Sequence, residues 1–170
     1  MKKVLLISAA TLVLAACSSK DDAVETAPVV VEDTTPSDVV ADEDVDLVTL
    51  PGAQAELIAA AGSDTIYFGT DLYNLEADAR RTLEAQARWL VANPGVNASI
   101  EGHADERGTR EYNLALGERR ANAARDYLES MGVPGNRLTV ISWGKERPVA
   151  LGSNEQAWAQ NRRAVTVVVR

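Results

Sequence analysis

The chain contains a single histidine, His103, and it stands in the stretch GHADERGTREYN. Asp105, Glu106 and Glu111 lie close by with Arg107 and Arg110, and Arg119 and Arg120 follow about two helical turns beyond Asn113. An imidazole beside carboxylates is material for a metal site or a general base. Zinc usually takes three or four ligands from His and Cys. One histidine, and one cysteine that sits far away at Cys17, nearly exclude it. A carboxylate site for magnesium or calcium could draw on Asp105, Glu106 and Glu111, but the neighbouring arginines compete for the same oxygens and no EF-hand spacing is present. A serine or cysteine hydrolase needs a nucleophile with a His partner and a Gly-rich elbow, which the chain lacks. Two carboxylates working as acid and base stay open on spacing alone.

The elements around the cluster indicate another use. Thr65 to Phe68 reads as a short strand, broken at Gly69-Thr70-Asp71. Leu75, Ala79, Leu83, Ala87 and Leu90 repeat at helical spacing and stop at Asn93-Pro94-Gly95. Val96, Ala98 and Ile100 alternate as a strand that runs into Gly102-His103. A second helix is predicted from about Arg110 to Ser130, capped at Gly132 with Pro134 beyond. Leu138 to Trp143 forms a third strand, Ser153 opens a capping box for a short helix to about Gln160, and Ala164 to Val169 closes as an apolar strand. The order β-α-β-α-β-α-β predicts an α+β fold, a mixed four-stranded sheet with helices packed on one face.

On that scaffold Asn113, Leu116 and Arg120 share one face of the second helix, and Asp105 sits in the loop that feeds it. A carboxylate, an amide, an apolar floor and a guanidinium would then converge. Fixed opposite charges suit a zwitterion, since Arg forks onto a carboxylate and Asp takes an ammonium. A surface salt-bridge network that braces the turn fits the same residues.

The remaining sequence frames the domain. MKKVLLISAATLVLAAC has a basic start and an apolar run too short for the roughly 20 residues a membrane span requires. Residues 1–16 read as a signal peptide, and Leu14-Ala15-Ala16-Cys17 resembles the lipobox of bacterial lipoproteins. That resemblance implies cleavage before Cys17, a diacylglyceryl thioether on its sulfur and an acyl group on the new amino terminus. It also implies delivery to the outer membrane on its periplasmic face, given Ser18 in the following position. Three acyl chains anchor firmly where one is marginal. Residues 17–61 read as a lipidated, acidic, disordered tether, and 62–170 as the domain. From Lys20 to Ala61 there are eleven acids against one base, while Gly62 onward has fourteen of each. Such a tether spans ~35–40 Å as a random coil, with Gln54 to Ala61 adding a short helical turn. The chain as a whole carries a net charge of −8 and shows no cationic footprint, so nucleic acid is not a partner.

GHADERGTREYN followed by LALGERRA resembles the core signature of the OmpA-like peptidoglycan-binding domain family, and IYFGTDLYNL, SWGKERPVALG and NRRAV match it in order and spacing. Together with the lipobox, these motifs are similar to those of the peptidoglycan-associated lipoproteins within that family. The resemblance implies non-catalytic binding of the diaminopimelate in the peptidoglycan stem peptide, with no cofactor. It places the contacts on Asp71, Asp105, Asn113, Leu116 and Arg120, with backbone around Phe68, His103 and Ala104. It further implies docking to the Tol system, notably TolB. TDLYNL, Thr70 to Leu75, departs from the more basic stretch common in the lipidated members. On this reading His103 is a neutral turn residue at the site.

Overall fold

The computed structural model describes residues 49–170. The signal segment, Cys17 and the tether up to residue 48 lie outside the described residues. The elements run α1 (Pro51–Ala61), β1 (Thr65–Tyr67), α2 (Ala77–Ala92), β2 (Asn97–His103), α3 (Arg110–Ser130), a 3-10 turn at Gly135–Arg137, β3 (Leu138–Gly144), α4 (Glu155–Asn161) and β4 (Arg163–Val169). The four strands form one mixed sheet in the order β1-β4-β2-β3. β4 is antiparallel to both its neighbours, and β2 and β3 are parallel. The apolar β4 is therefore central, paired on both edges, which accounts for its nearly unbroken run of valines.

Register fixes which side chains face the helices. Ile66, Ala98, Ile100, Leu138 and Ala164 share one face and join Leu83, Ala87 and Leu90 of α2 and Ala121, Ala124 and Leu128 of α3 in the core. Ala79, Leu83, Ala87 and Leu90 of the predicted helical repeat form this buried stripe, while Leu75 precedes α2 and packs against it half-buried. Gln86 sits within it fully buried, donating to the Ser63 carbonyl and accepting from Thr166, so its polarity is matched rather than stranded. Gly102 of β2 lies directly under Gly117 of α3. A methyl at either would run into the opposing backbone or into Ser142. This close approach presses the first half of α3 onto the end of β2, and so brings Arg120 to the His103 carbonyl and Asn113 to the turn that follows.

Three predicted details differ. The segment 49–61 belongs to the folded unit, not to the tether: α1 buries Leu57 completely, and Gln54 bonds the Val168 amide, the Thr166 carbonyl and Asp64. Thr49 also bridges to Val169. One buried leucine and one polar anchor suffice to hold a helix whose composition carries little amphipathic signal. In α4 the cap is Asn154, not Ser153, because its side chain accepts from the Ala157 amide. His103 closes β2 instead of standing in the turn.

Candidate functional site

The site gathers where the C-terminal end of β2, the turn into α3 and the loop after β1 meet. Thr109 caps α3 by accepting from the Tyr112 amide. Asn113, buried, donates to the Arg107 and Thr109 carbonyls and so pins the turn that carries Asp105 to Gly108. Gly108 takes φ +86°, a left-handed conformation that glycine adopts without strain. On the opposite rim Asp71 has φ +55°, the sole non-glycine in that region among the described residues. Aspartate tolerates it better than most, and the kink aims the loop back over the turn.

Asp105 is nearly buried. Burial pushes its pKa up, and the side-chain and backbone hydrogen bonds from Arg107 more than reverse this, with Arg107 and Arg162 adding attraction. The contacts are Arg107 Nη2 at 2.6 Å, Arg107 Nε at 3.0 Å and Arg162 Nη1 at 3.6 Å. Asp105 is therefore an anion with cations on two sides. Arg107 also stacks on Trp158, 4.2 Å from the ring centroid, and Glu106 accepts from the indole of the same Trp158, tying α4 to the turn. A surface pocket of about 220 Å³ is lined by Thr70, Asp71, Arg107, Gly108 and Tyr112. It presents one free carboxylate, one guanidinium, a hydroxyl and an aromatic wall, with Asp105 behind Arg107.

Arg120 occupies a different place from the one its residue type suggests. It is completely buried, and three backbone carbonyls hold it: Leu72 at 2.9 Å from Nε, His103 at 2.8 Å from Nη1 and Gly69 at 3.1 Å from Nη2. Its guanidinium lies 5.3 Å from the Phe68 ring centroid. Burial lowers its pKa to about 10, so it stays charged at neutral pH. Three of its five N–H groups are committed, two to the loop after β1 and one to the end of β2, and Arg120 clamps the segment that carries Asp71. Leu116, on the same helix, is buried.

The backbone contacts expected around Phe68, His103 and Ala104 are engaged internally. Phe68 exchanges bonds with Arg162, the Ala104 amide donates to Gly144, and the His103 carbonyl receives Arg120. The His103 ring points to the sheet face away from the helices, 3.9 Å from Glu101, and neither of its nitrogens has a hydrogen-bond partner among the described residues. Burial first, then the charges of Arg163 and Arg147, lower its pKa to about 3. It is neutral and does not line the pocket. Among the described residues no group of three His, Cys, Asp or Glu side chains is gathered to hold a metal ion. The cluster is arranged to hold charge, with no nucleophile set beside a base. The residues that spacing did not single out are Thr70, Tyr112, Trp158 and Arg162. Arg162 stands 57 positions from Asp105, and no local pattern joins them.

The OmpA family model matches residues 67–162, which includes every side chain of this site. The chain belongs to the OmpA family. Within it the chain is similar to the peptidoglycan-associated lipoprotein of Rhizobium meliloti (strain 1021), 58% identical over 118 residues, covering 69% of this chain and 66% of the relative. The protein of the same name from Brucella melitensis is 55% identical over an equal stretch, 70% of its length. The match thus spans about two thirds of these relatives. Among solved structures, the peptidoglycan-associated lipoprotein from Burkholderia pseudomallei is 44% identical with a TM-score of 0.62, over 63% of this chain and 91% of that one. The C-terminal domain of Helicobacter pylori MotB, 20% identical with a TM-score of 0.58 over 63% of this chain and 84% of that one, shares the fold alone. The α+β sheet predicted from the sequence is the fold of these relatives.

Proposed function

We propose that the chain is a lipid-anchored envelope protein that binds peptidoglycan without catalysis, through the diaminopimelate of the stem peptide, and so tethers the outer membrane to the cell wall. The observation that carries this reading is the pairing of Asp71 and Arg107 on one small pocket, with Asp105 held behind Arg107 and buried Arg120 clamping the loop that carries Asp71. The end group of diaminopimelate bears an ammonium and a carboxylate. Asp71 and Asp105 would receive the ammonium. The carboxylate would meet Arg107 from the surface and the two uncommitted N–H groups of Arg120 from below. Asn113 and Leu116 would hold the turn and floor, and Phe68, His103 and Ala104 would shape the site through their backbone. The name that the relatives carry, peptidoglycan-associated lipoprotein, and the lipobox around Cys17 support the lipid anchor and the envelope location.

The rim favours a second partner on the same face. Leu72, Tyr73 and Tyr112 are exposed there, an apolar border suited to a protein surface. TolB and the Tol assembly, implied by the resemblance, would dock at this border, in a Tol-Pal role in envelope integrity and cell division.

Isothermal titration of the full chain with two stem peptides, one with diaminopimelate and one with lysine, tests the site. The lysine peptide keeps the ammonium and lacks the carboxylate. Wild type should prefer diaminopimelate, and Asp105→Asn should weaken both by about ten- to a hundredfold. Arg107→Ala and Arg120→Lys should each erode the preference, because each removes donors to the carboxylate. Equal affinity of wild type for the two peptides would sink the proposal.

A further inference from the structure

A second surface of the chain is shaped for recognition. β1 is an edge strand, paired with β4 on one side only. Ile66 and Phe68 turn their backbone groups toward β4, so the amides and carbonyls of Thr65 and Tyr67 and the amide of Gly69 point outward. Ser63 satisfies both outward groups of Thr65. The amide and carbonyl of Tyr67 and the amide of Gly69 have no hydrogen-bond partner among the described residues. An unpaired edge of this kind is a ready template for another strand.

Two cavities lie along it. One, of about 420 Å³, touches the consecutive residues Tyr67, Phe68 and Gly69. The other, of about 360 Å³, touches the consecutive residues Thr65, Ile66 and Tyr67. Successive side chains of a strand point to opposite faces, so a cavity that meets three in a row runs along the backbone edge. The cavities share Tyr67 and Glu76, and together they form one groove along β1, about 20 Å long from Ser63 to Gly69, walled by the start of α2 and, at its Gly69 end, by Ala159 and Gln160 of α4. Their ionisable walls are acidic. Glu76 borders both cavities without a salt bridge, and Asp78 borders one, bonded to Arg81; neither cavity is lined by a Lys or Arg. Tyr67, 54% exposed, offers an apolar and aromatic surface at the centre.

We propose that this edge binds an extended segment of a partner protein by strand addition, and that the segment carries a lysine or arginine set against Glu76. Main-chain bonds to Tyr67 and Gly69 supply affinity, and the acidic wall supplies selectivity. The groove shares no lining residue with the pocket of Asp71 and Arg107, so both can be occupied at once.

The probe is a blocked pentapeptide, valine–lysine–valine–threonine–valine, added to the isotope-labelled full chain and followed by NMR. The Tyr67 and Gly69 amides should shift, and their hydrogen exchange should slow at least about tenfold on saturation. Glu76→Gln, an exposed change outside the core, should weaken binding by about two- to fivefold. A glutamate in place of the peptide lysine should weaken it further, and N-methylation of the peptide backbone should abolish it. The proposal is overturned if the Tyr67 and Gly69 amides stay unmoved at millimolar peptide, if the N-methylated peptide binds equally, or if the shifts fall on Asp71 and Asp105 instead.

Discussion

At the scale of single residues, His103 and Arg120 show how position overrides chemical type. A histidine among carboxylates invites a catalytic role, yet its ring is buried on the sheet face opposite the helices and its pKa is lowered to about 3. The consequence is for stability. Below about pH 6.5 the unfolded chain binds a proton at this position that the folded chain refuses until about pH 3. Stability therefore falls as pH drops through that window, by at most about 1.4 kcal/mol per pH unit. The depressed carboxylate of Asp105 contributes in a lower range: its stabilisation is lost as pH falls below its ordinary value of 3.8 and through its still lower folded value. Urea midpoints measured from pH 7 to about pH 5, above the range where the depressed carboxylates of Glu106 and Asp105 titrate, isolate the histidine. His103→Gln should flatten most of the slope, and an unchanged slope would show that other groups carry it. Arg120 makes the complementary point, since a guanidinium legible as a ligand contact is first a clamp on the Gly69 and Leu72 carbonyls.

At the scale of elements, α1 is the part that the sequence least announced. Its apolar residues define no clear stripe, and its value lies in Leu57 and in the Gln54 bonds to β4 and Asp64. A chain beginning at Gly62 should lose about 3–5 kcal/mol relative to one beginning at Asp44, from one buried leucine and a set of lost hydrogen bonds. Urea unfolding of the two truncations, with m-values compared, decides this. Identical midpoints would return residues 49–61 to the tether. By contrast, α2 and α3 were legible because a 3.6-residue repeat, a Pro-Gly stop and a Gly cap are local signals.

At the scale of the whole molecule, charge separates the chain into an acidic leading part and a neutral folded one. If residues 17–48 serve as a leash, deleting Val24 to Asp46 should leave the affinity of the purified protein for peptidoglycan unchanged. The leash would shorten to roughly 15–18 Å as a coil. Crosslinking to the wall in cells should then drop, because a shorter leash holds the domain nearer its anchor. Weaker binding by the purified deletion protein would instead make the segment part of the site.

The sequence by itself determined the element order, the sheet class and the neighbourhood of the site, because periodicity, caps and turn residues act within a few positions of one another. Asp105, Asn113, Leu116 and Arg120 were within its reach, since one turn and one helix face carry them all. Only the tertiary structure decided that these four are buried, while Asp71 and Arg107 line the surface pocket. The Gly102–Gly117 contact joins β2 to α3, the Arg120 clamp joins α3 to the loop after β1, and Arg162 reaches Asp105 from the far end of the chain. These are contacts between segments far apart in sequence, set by strand register and close packing, and no local pattern encodes them.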